Sequence, residues 1–356
     1  MTSAAARIGG RRAVAYAILI VDAGIAALLF GLWLSGGWPA NQIIGLANAG
    51  RFTAWSLPVV RLLVQVCAVG TIGMLLTCVL LPRADGLLCD AARRCLCTAA
   101  WLALGWGVAT AALLVLSWSD AAALPVTKLR YAQLLSGGGT PAGTFPEAIP
   151  YLFGAVLSLL IAAGARAVQT IQGAVGLLVL AGYALLPLTT QGHATHARLT
   201  PYAVTVHVLA ISLWVGGLAG LIVHVRSRPD LLAAAVPRFS NVALGCYIAV
   251  GVSGLTAALS ILGSPGELWS SRYGLLVLCK VAALTALGVF GRRHRRRIVP
   301  ALAGRRANRA FLRLAAAEVV VMAATVALGV ALSQAPTPGT ESATHHASAQ
   351  VVGLSK

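Results

Sequence analysis

Charge is scarce in this sequence. Only 10% of its 356 residues are Asp, Glu, Lys or Arg, where an ordinary soluble domain carries roughly 25%. Acidic residues are the rarest part, 9 against 27 basic. With a mean hydropathy of +0.85, this shortage excludes a soluble globular class. The apolar runs lack the in–out alternation of barrel strands, which excludes a transmembrane β-barrel. No GxxxxGK[ST] stretch occurs, so no P-loop supplies ATP-driven pumping, and no HExxH stretch marks a zinc protease. None of the seven cysteines falls in an expected external loop, so a disulfide framework is not expected.

What remains is apolar sequence in membrane-sized lengths. Nine runs stand out: 13–35, 54–81, 96–118, 148–165, 171–190, 201–225, 239–262, 273–291 and 311–333. Each is of the length that crosses a hydrocarbon core of about 30 Å as a helix. In lipid only helices and closed barrels satisfy their own backbone. The expected fold is therefore all-α, a polytopic transmembrane helical bundle of about nine helices. At "GARAVQT" the 148–190 stretch reads equally as a turn between two helices or a kink in one. The first run follows basic residues, as in a signal peptide, but it is long, contains Asp22 and lacks a small-residue cleavage site. It is kept as a helix.

The net charge of +18 has the size of a nucleic-acid binder's. Its distribution points to a membrane instead. With the N-terminus in the cytoplasm, 19 of the 27 Lys and Arg fall in inner loops and 6 in outer ones, while Arg61 and Lys280 lie within spans. The positive-inside rule then places the C-terminus outside. The run "GRRHRRR" at 291–297 reads as a loop held against anionic lipid. No nucleic-acid partner is expected; the lipid bilayer is. Three parts follow: N-terminal transmembrane helices at 1–190, a transmembrane core at 191–333, and a polar, disordered external tail at 334–356.

Four ionisable residues sit inside the spans: Asp22, Arg61, Lys280 and Glu318. Each costs about 2.5–3.5 kcal/mol at a helix centre on insertion scales, so each needs a partner, a cavity or a function. Asp22 and Lys280 both fall near mid-span and would pair if the first and eighth helices touch. Met322 follows Glu318 by one turn on the same face.

The stretch "TTQGHATHARLTPYAVTVHVLAISLWVGG" holds three histidines. Thr200-Pro201 reads as a helix start. His193 and His196 then lie in an external turn, His207 about two turns into the sixth span, and Trp214 on nearly the same face. Neutral imidazole ligates copper and zinc. The three form a candidate path from capture to inward transfer, although a helix histidine also serves as an interhelical hydrogen-bond donor. Cys89, Cys95 and Cys97 cluster in "LLCDAARRCLC" at the inner side. Thiolates select Cu(I) or zinc, so these read as a metal exit site. Their spacing is not a standard zinc one, and it favours the other reading, small apolar residues packed near a helix end.

The stretch from 192 to 293 resembles the copper resistance D family of bacterial inner-membrane proteins. The residues that carry it are "GHA" at 192–194, "HVLAISLWVGGLAGL" at 207–221, "RFSNVALGCYIAVGVSGLTAAL" at 238–259 and "YGLLVLCKVAAL" at 273–284. The resemblance implies copper, as Cu(I), moving from periplasm to cytoplasm across the cytoplasmic membrane. It points to His193, His207 and Lys280, with Trp214, Gly216 and Gly217 shaping the path. It implies binding and passage, not an enzyme. A periplasmic copper chaperone or a cytochrome oxidase assembly factor would be the expected protein partner. Two other readings stay open: a scaffold for assembling the oxidase copper site, and a haem-linked membrane protein. The second needs facing histidines at similar depth, and His207 has none in another span.

Overall fold

In the computed structural model of the chain, the described residues are 48–84, 87–129, 148–189, 200–261, 266–270 and 272–293, with isolated residues 296, 317 and 320. The expected spans at 13–35 and, but for two isolated residues, 311–333 lie outside them, as does the tail. The other seven apolar runs all fold as helices. We number these α1 (Gly50–Leu80), α2 (Asp90–Ala121), α3 (Ala148–Ala167), α4 (Ile171–Thr189), α5 (200–225), α6 (Pro229–Ile261) and α8 (Arg272–Arg293). A single turn, α7 (Glu267–Ser270), lies before α8.

Five of the described helices are long and apolar enough to cross a membrane: α1, α2, α3, Tyr202–Val225 of α5 and Pro229–Leu259 of α6. The chain is a multi-pass membrane protein. The side chains are arranged for lipid. On α1, Phe52, Trp55, Val59, Leu63 and Val66 are exposed. Their three- and four-residue spacing makes one apolar stripe. The opposite face buries Thr53, Leu57, Val64, Ala68 and Thr71. Buried hydroxyls satisfy themselves on the preceding turn, as Thr71 does on Cys67 O (2.8 Å), Thr110 on Trp106 O (2.8 Å) and Ser158 on Gly154 O (2.7 Å). With no water in the hydrocarbon core, that local bond avoids an orphan donor.

Several helices run longer than their apolar cores. α2 starts at Asp90, not at 96, and α6 at Pro229, not at 239. Polar first turns carry no hydropathy signal yet continue the backbone ladder. The loop between α1 and α2 shrinks to a two-residue antiparallel pair, β1 (Arg83–Ala84) with β2 (Leu87–Leu88), in register Arg83 to Leu88. The break at 167–170 is a turn between separate helices. There Val168 N bonds Gly164 O at 2.9 Å, closing α3, and Thr170 Oγ1 accepts from Gly173 N at 3.3 Å, opening α4.

The chain divides into two compact units. The larger, 39–254 with 290–315, contains α1 to α5 and most of α6. Within it α1 packs on α2, α4 and α5, α2 on α3, and α3 on α4. The smaller unit, 1–38, 255–289 and 316–356, contains the end of α6, α7 and most of α8. In α8, Thr285 Oγ1 donates to Val281 O at 2.9 Å and Leu287 is buried.

Candidate metal path

α5 and α6 run antiparallel, and three contacts fix their register. His207 faces Ser253, Trp214 faces Tyr247, and Gly217 faces Phe239. His207 Nδ1 lies 3.0 Å from Ser253 Oγ. That hydroxyl also donates to the carbonyls of Ala249 and Val250, one turn back on its own helix. A hydroxyl has one proton, so with that proton directed at the backbone it accepts from the imidazole. Nδ1 therefore carries the ring proton, and Nε2 carries the lone pair with which an imidazole binds a metal. Next to Ser253, a Cβ on Gly254 would stand 3.3 Å from His207 Cε1. The glycine lets the ring lie close against α6.

About two turns further along α5, Trp214 is buried and meets Tyr247 edge to face, with centroids 5.7 Å apart and planes at 84°. Here α5 departs from α-helical geometry. Ser212–Gly216 and Leu221–Val225 are π-helical, separated by the α-helical turn Gly217–Gly220. Single π turns inside helices concentrate at functional sites. The glycines of this segment seat α5 on α1. A Cβ on Gly216 would collide with Val69 O and Gly73, and one on Gly220 with the Thr77 hydroxyl. Thr77 Oγ1 donates to Gly73 O at 2.8 Å and reaches Gly217 O across the interface at 3.3 Å. Gly217 serves both neighbours, since its Cβ would lie 2.7 Å from Phe239 Cε2 and 2.9 Å from Leu76 Cδ2.

Cys89, Cys95 and Cys97 do not share one environment. Cys95 is buried, Cys97 exposed and Cys89 intermediate. Two residues on a helix turn about 200°, so Cys95 and Cys97 point to opposite faces. Cys78 of α1, also buried, lies near Cys89 and Cys95. Among the described residues no three His, Cys, Asp or Glu side chains converge to hold a metal ion. His224, on the last π turn of α5, bonds Thr98 of α2 through Nε2 at 3.0 Å. Lys280 lies on α8, half-buried, in the smaller unit. His193, His196, Asp22, Glu318 and Met322 lie outside the described residues.

Three functional side chains have no signal of their own in the sequence: Ser253, Cys78 and Arg238. Ser253 lies within a quoted family stretch, but its bond to His207 depends on the register of two helices. Arg238, expected in a loop, is part of α6 and reaches Leu80 O at 3.1 Å.

The comparison with known families bears on this arrangement. Residues 233–332 match the family described as copper resistance protein D. This part of the chain, a little over a quarter of its length, is similar to that family. No curated protein and no solved structure matches the chain. The copper resistance protein D region supplies Ser253, Gly254, Tyr247 and Lys280, while His207 and Trp214 come from the helix just before it. The similarity lies in a membrane-spanning part of the chain and bears on copper resistance.

Proposed function

We propose that the protein binds copper as Cu(I) and passes it inward across the bacterial cytoplasmic membrane. The observation that carries the reading is the hydrogen bond from His207 to Ser253. A metal-binding histidine almost always donates its second ring N–H to a fixed acceptor, which sets the tautomer and aims the other nitrogen. His207 has that partner on the helix that the family match covers. His193 and His196, shortly upstream, supply capture at the outer mouth. Trp214, Gly216 and Gly217 shape the way past α1 and α6, and Lys280, on α8, is a further candidate carried by the family resemblance.

At the inner side Cys89, Cys95 and Cys97 act as acceptor thiols taken one at a time, not as a single three-thiolate cage. Imidazole outside and thiolate inside form a progression from harder to softer ligands, which favours reduced copper at the inner end. With no ATP-binding motif, flux follows a gradient or an inner acceptor, such as a copper chaperone. The test is uptake into proteoliposomes with a Cu(I) chelator inside and Cu(I) outside. The expected result is an interior signal that falls when His193 and His207 are both changed to Ala. No signal above empty liposomes, from folded and correctly oriented protein, would defeat transport and leave a scaffold for oxidase assembly.

A further inference from the structure

α2 is 32 residues long, about 48 Å at 1.5 Å per residue, and exceeds a hydrocarbon core of about 30 Å. Its neighbour α3 has only 20 residues. The two run antiparallel, with Ser117 Oγ 3.4 Å from the Tyr151 hydroxyl and Gly107 against Leu159. At the end of this register, in the last turn of α3, the Arg166 guanidinium sits 4.9 Å above the Trp101 ring. α3 stops at this level, and the first turns of α2 project beyond it. Tryptophan favours the membrane–water boundary, and Trp101 is 62% exposed.

Above Trp101, on the same face of α2, come Cys97 and Arg93, each four residues earlier, with Arg94 beside Arg93. All are exposed, while Cys95, Leu96, Ala99 and Ala100 face the protein. Arg93 and Arg94 thus stand exposed about two turns beyond the Arg166–Trp101 pair, on the part of α2 that projects past α3. Among the described residues the ion pair present is Arg228 with Asp230, elsewhere; Asp90, exposed one turn before Arg93, makes none with these arginines. Below Trp101 the face continues with exposed Val108, Ala111 and Ala112, which is acyl-chain territory.

We propose that Arg93, Arg94, Arg166 and Trp101 form a binding site for the phosphate of an anionic phospholipid. Stacking on Trp101 holds the Arg166 plane and leaves its N–H edge for a bidentate phosphate bond. The apolar run beneath selects a lipid over a soluble anion. The site shares its face of α2 with Cys97, but lipid binding there does not depend on copper.

The experiment uses tryptophan fluorescence of the full chain in phosphatidylcholine vesicles. A minor fraction of brominated phosphatidylglycerol is compared with the same fraction of brominated phosphatidylcholine. Excess quenching by the anionic lipid is expected. Each arginine should contribute about five-fold to local enrichment, the equivalent of roughly 1 kcal/mol per basic residue near the surface. Trp101→Phe should remove the excess by removing the reporter, and Arg93→Gln with Arg94→Gln and Arg166→Gln should remove it with Trp101 in place. Should the triple variant not fold, Arg166→Gln alone should lower the excess. Equal quenching by both lipids, or an excess that survives loss of the arginines, would overturn the proposal. So would relief of the excess by inorganic phosphate, which would make the face a general anion site.

Discussion

Gly216 and Gly73 meet backbone to backbone: a Cβ added to either would overlap the main chain of the other helix. Lipid tails are as apolar as leucine, so helices in a membrane associate through close packing and not through hydrophobic exclusion. Gly216 and Gly220 lie four residues apart on α5, facing Gly73 and Thr77, also four apart, on α1. Gly216→Leu should therefore destabilise the larger unit by about 1–3 kcal/mol or more, as overpacking does. Gly245 on α6 has open space around its Cβ position. Gly245→Ala should be neutral or stabilising by roughly 0.5–1 kcal/mol. Thermal unfolding in detergent distinguishes them, and equal effects would refute the close contact.

Ser253 is expected to act on copper through His207. Ser253→Ala leaves the imidazole unoriented and should weaken Cu(I) affinity about 10–100-fold, the usual cost of losing such an outer partner. His207→Ala should cost at least as much. The double variant should be no worse than His207→Ala alone, because the two residues work through one nitrogen. Competition against a Cu(I) chelator gives the three affinities. Full additivity would mean that Ser253 serves something other than His207.

The membrane class and seven of the expected helices could be read from hydropathy, five of them long and apolar enough to cross a membrane, because an apolar run of about 20 residues has few other uses. The helix ends could not. Asp90–Cys95 and Pro229–Arg238 are helical extensions whose polar residues look like loop. Nor could the partners be read. That Gly216 lies on Gly73, or that His207 bonds Ser253, depends on how whole helices slide and rotate against each other. The family resemblance marked Gly216 only as shaping the path; the structure seats it on Val69 and Gly73 of α1. The three cysteines show the same limit in reverse. Nearness in sequence suggested one cluster, and helical rotation separates Cys95 from Cys97 while bringing Cys78 near Cys95 from another helix.

The thiols should differ in reactivity. In folded protein Cys97 should react with a water-soluble maleimide, Cys89 more slowly, and buried Cys95 and Cys78 only after denaturation. Mass spectrometry of the alkylated peptides reads this order directly. If Cys95 reacts as fast as Cys97, the opposed orientation is wrong. For the hand-off itself, changing Cys89, Cys95 and Cys97 to Ser should lower copper uptake. Unchanged uptake would reduce all three to packing residues.

Arg238 should matter to a helix that is not its own. α1 ends at Leu80, where Leu81 turns to extended backbone, and no basic residue sits in the last turn of α1. The final carbonyls of a helix lack intrahelical donors and carry its partial negative charge. Arg238 reaches across from α6 and donates through Nη1 to Leu80 O at 3.1 Å. Arg238→Met keeps most of the stem and removes the donor, and should cost about 1 kcal/mol. Arg238→Lys should recover part of it, since an ammonium keeps the charge but loses the planar reach. The effect should be local. Hydrogen exchange should speed up in a peptide covering 74–81, while 99–114 in the middle of α2 stays protected. If exchange accelerates equally in both, Arg238 supports the larger unit as a whole. If it accelerates in neither, the contact with Leu80 carries no stability.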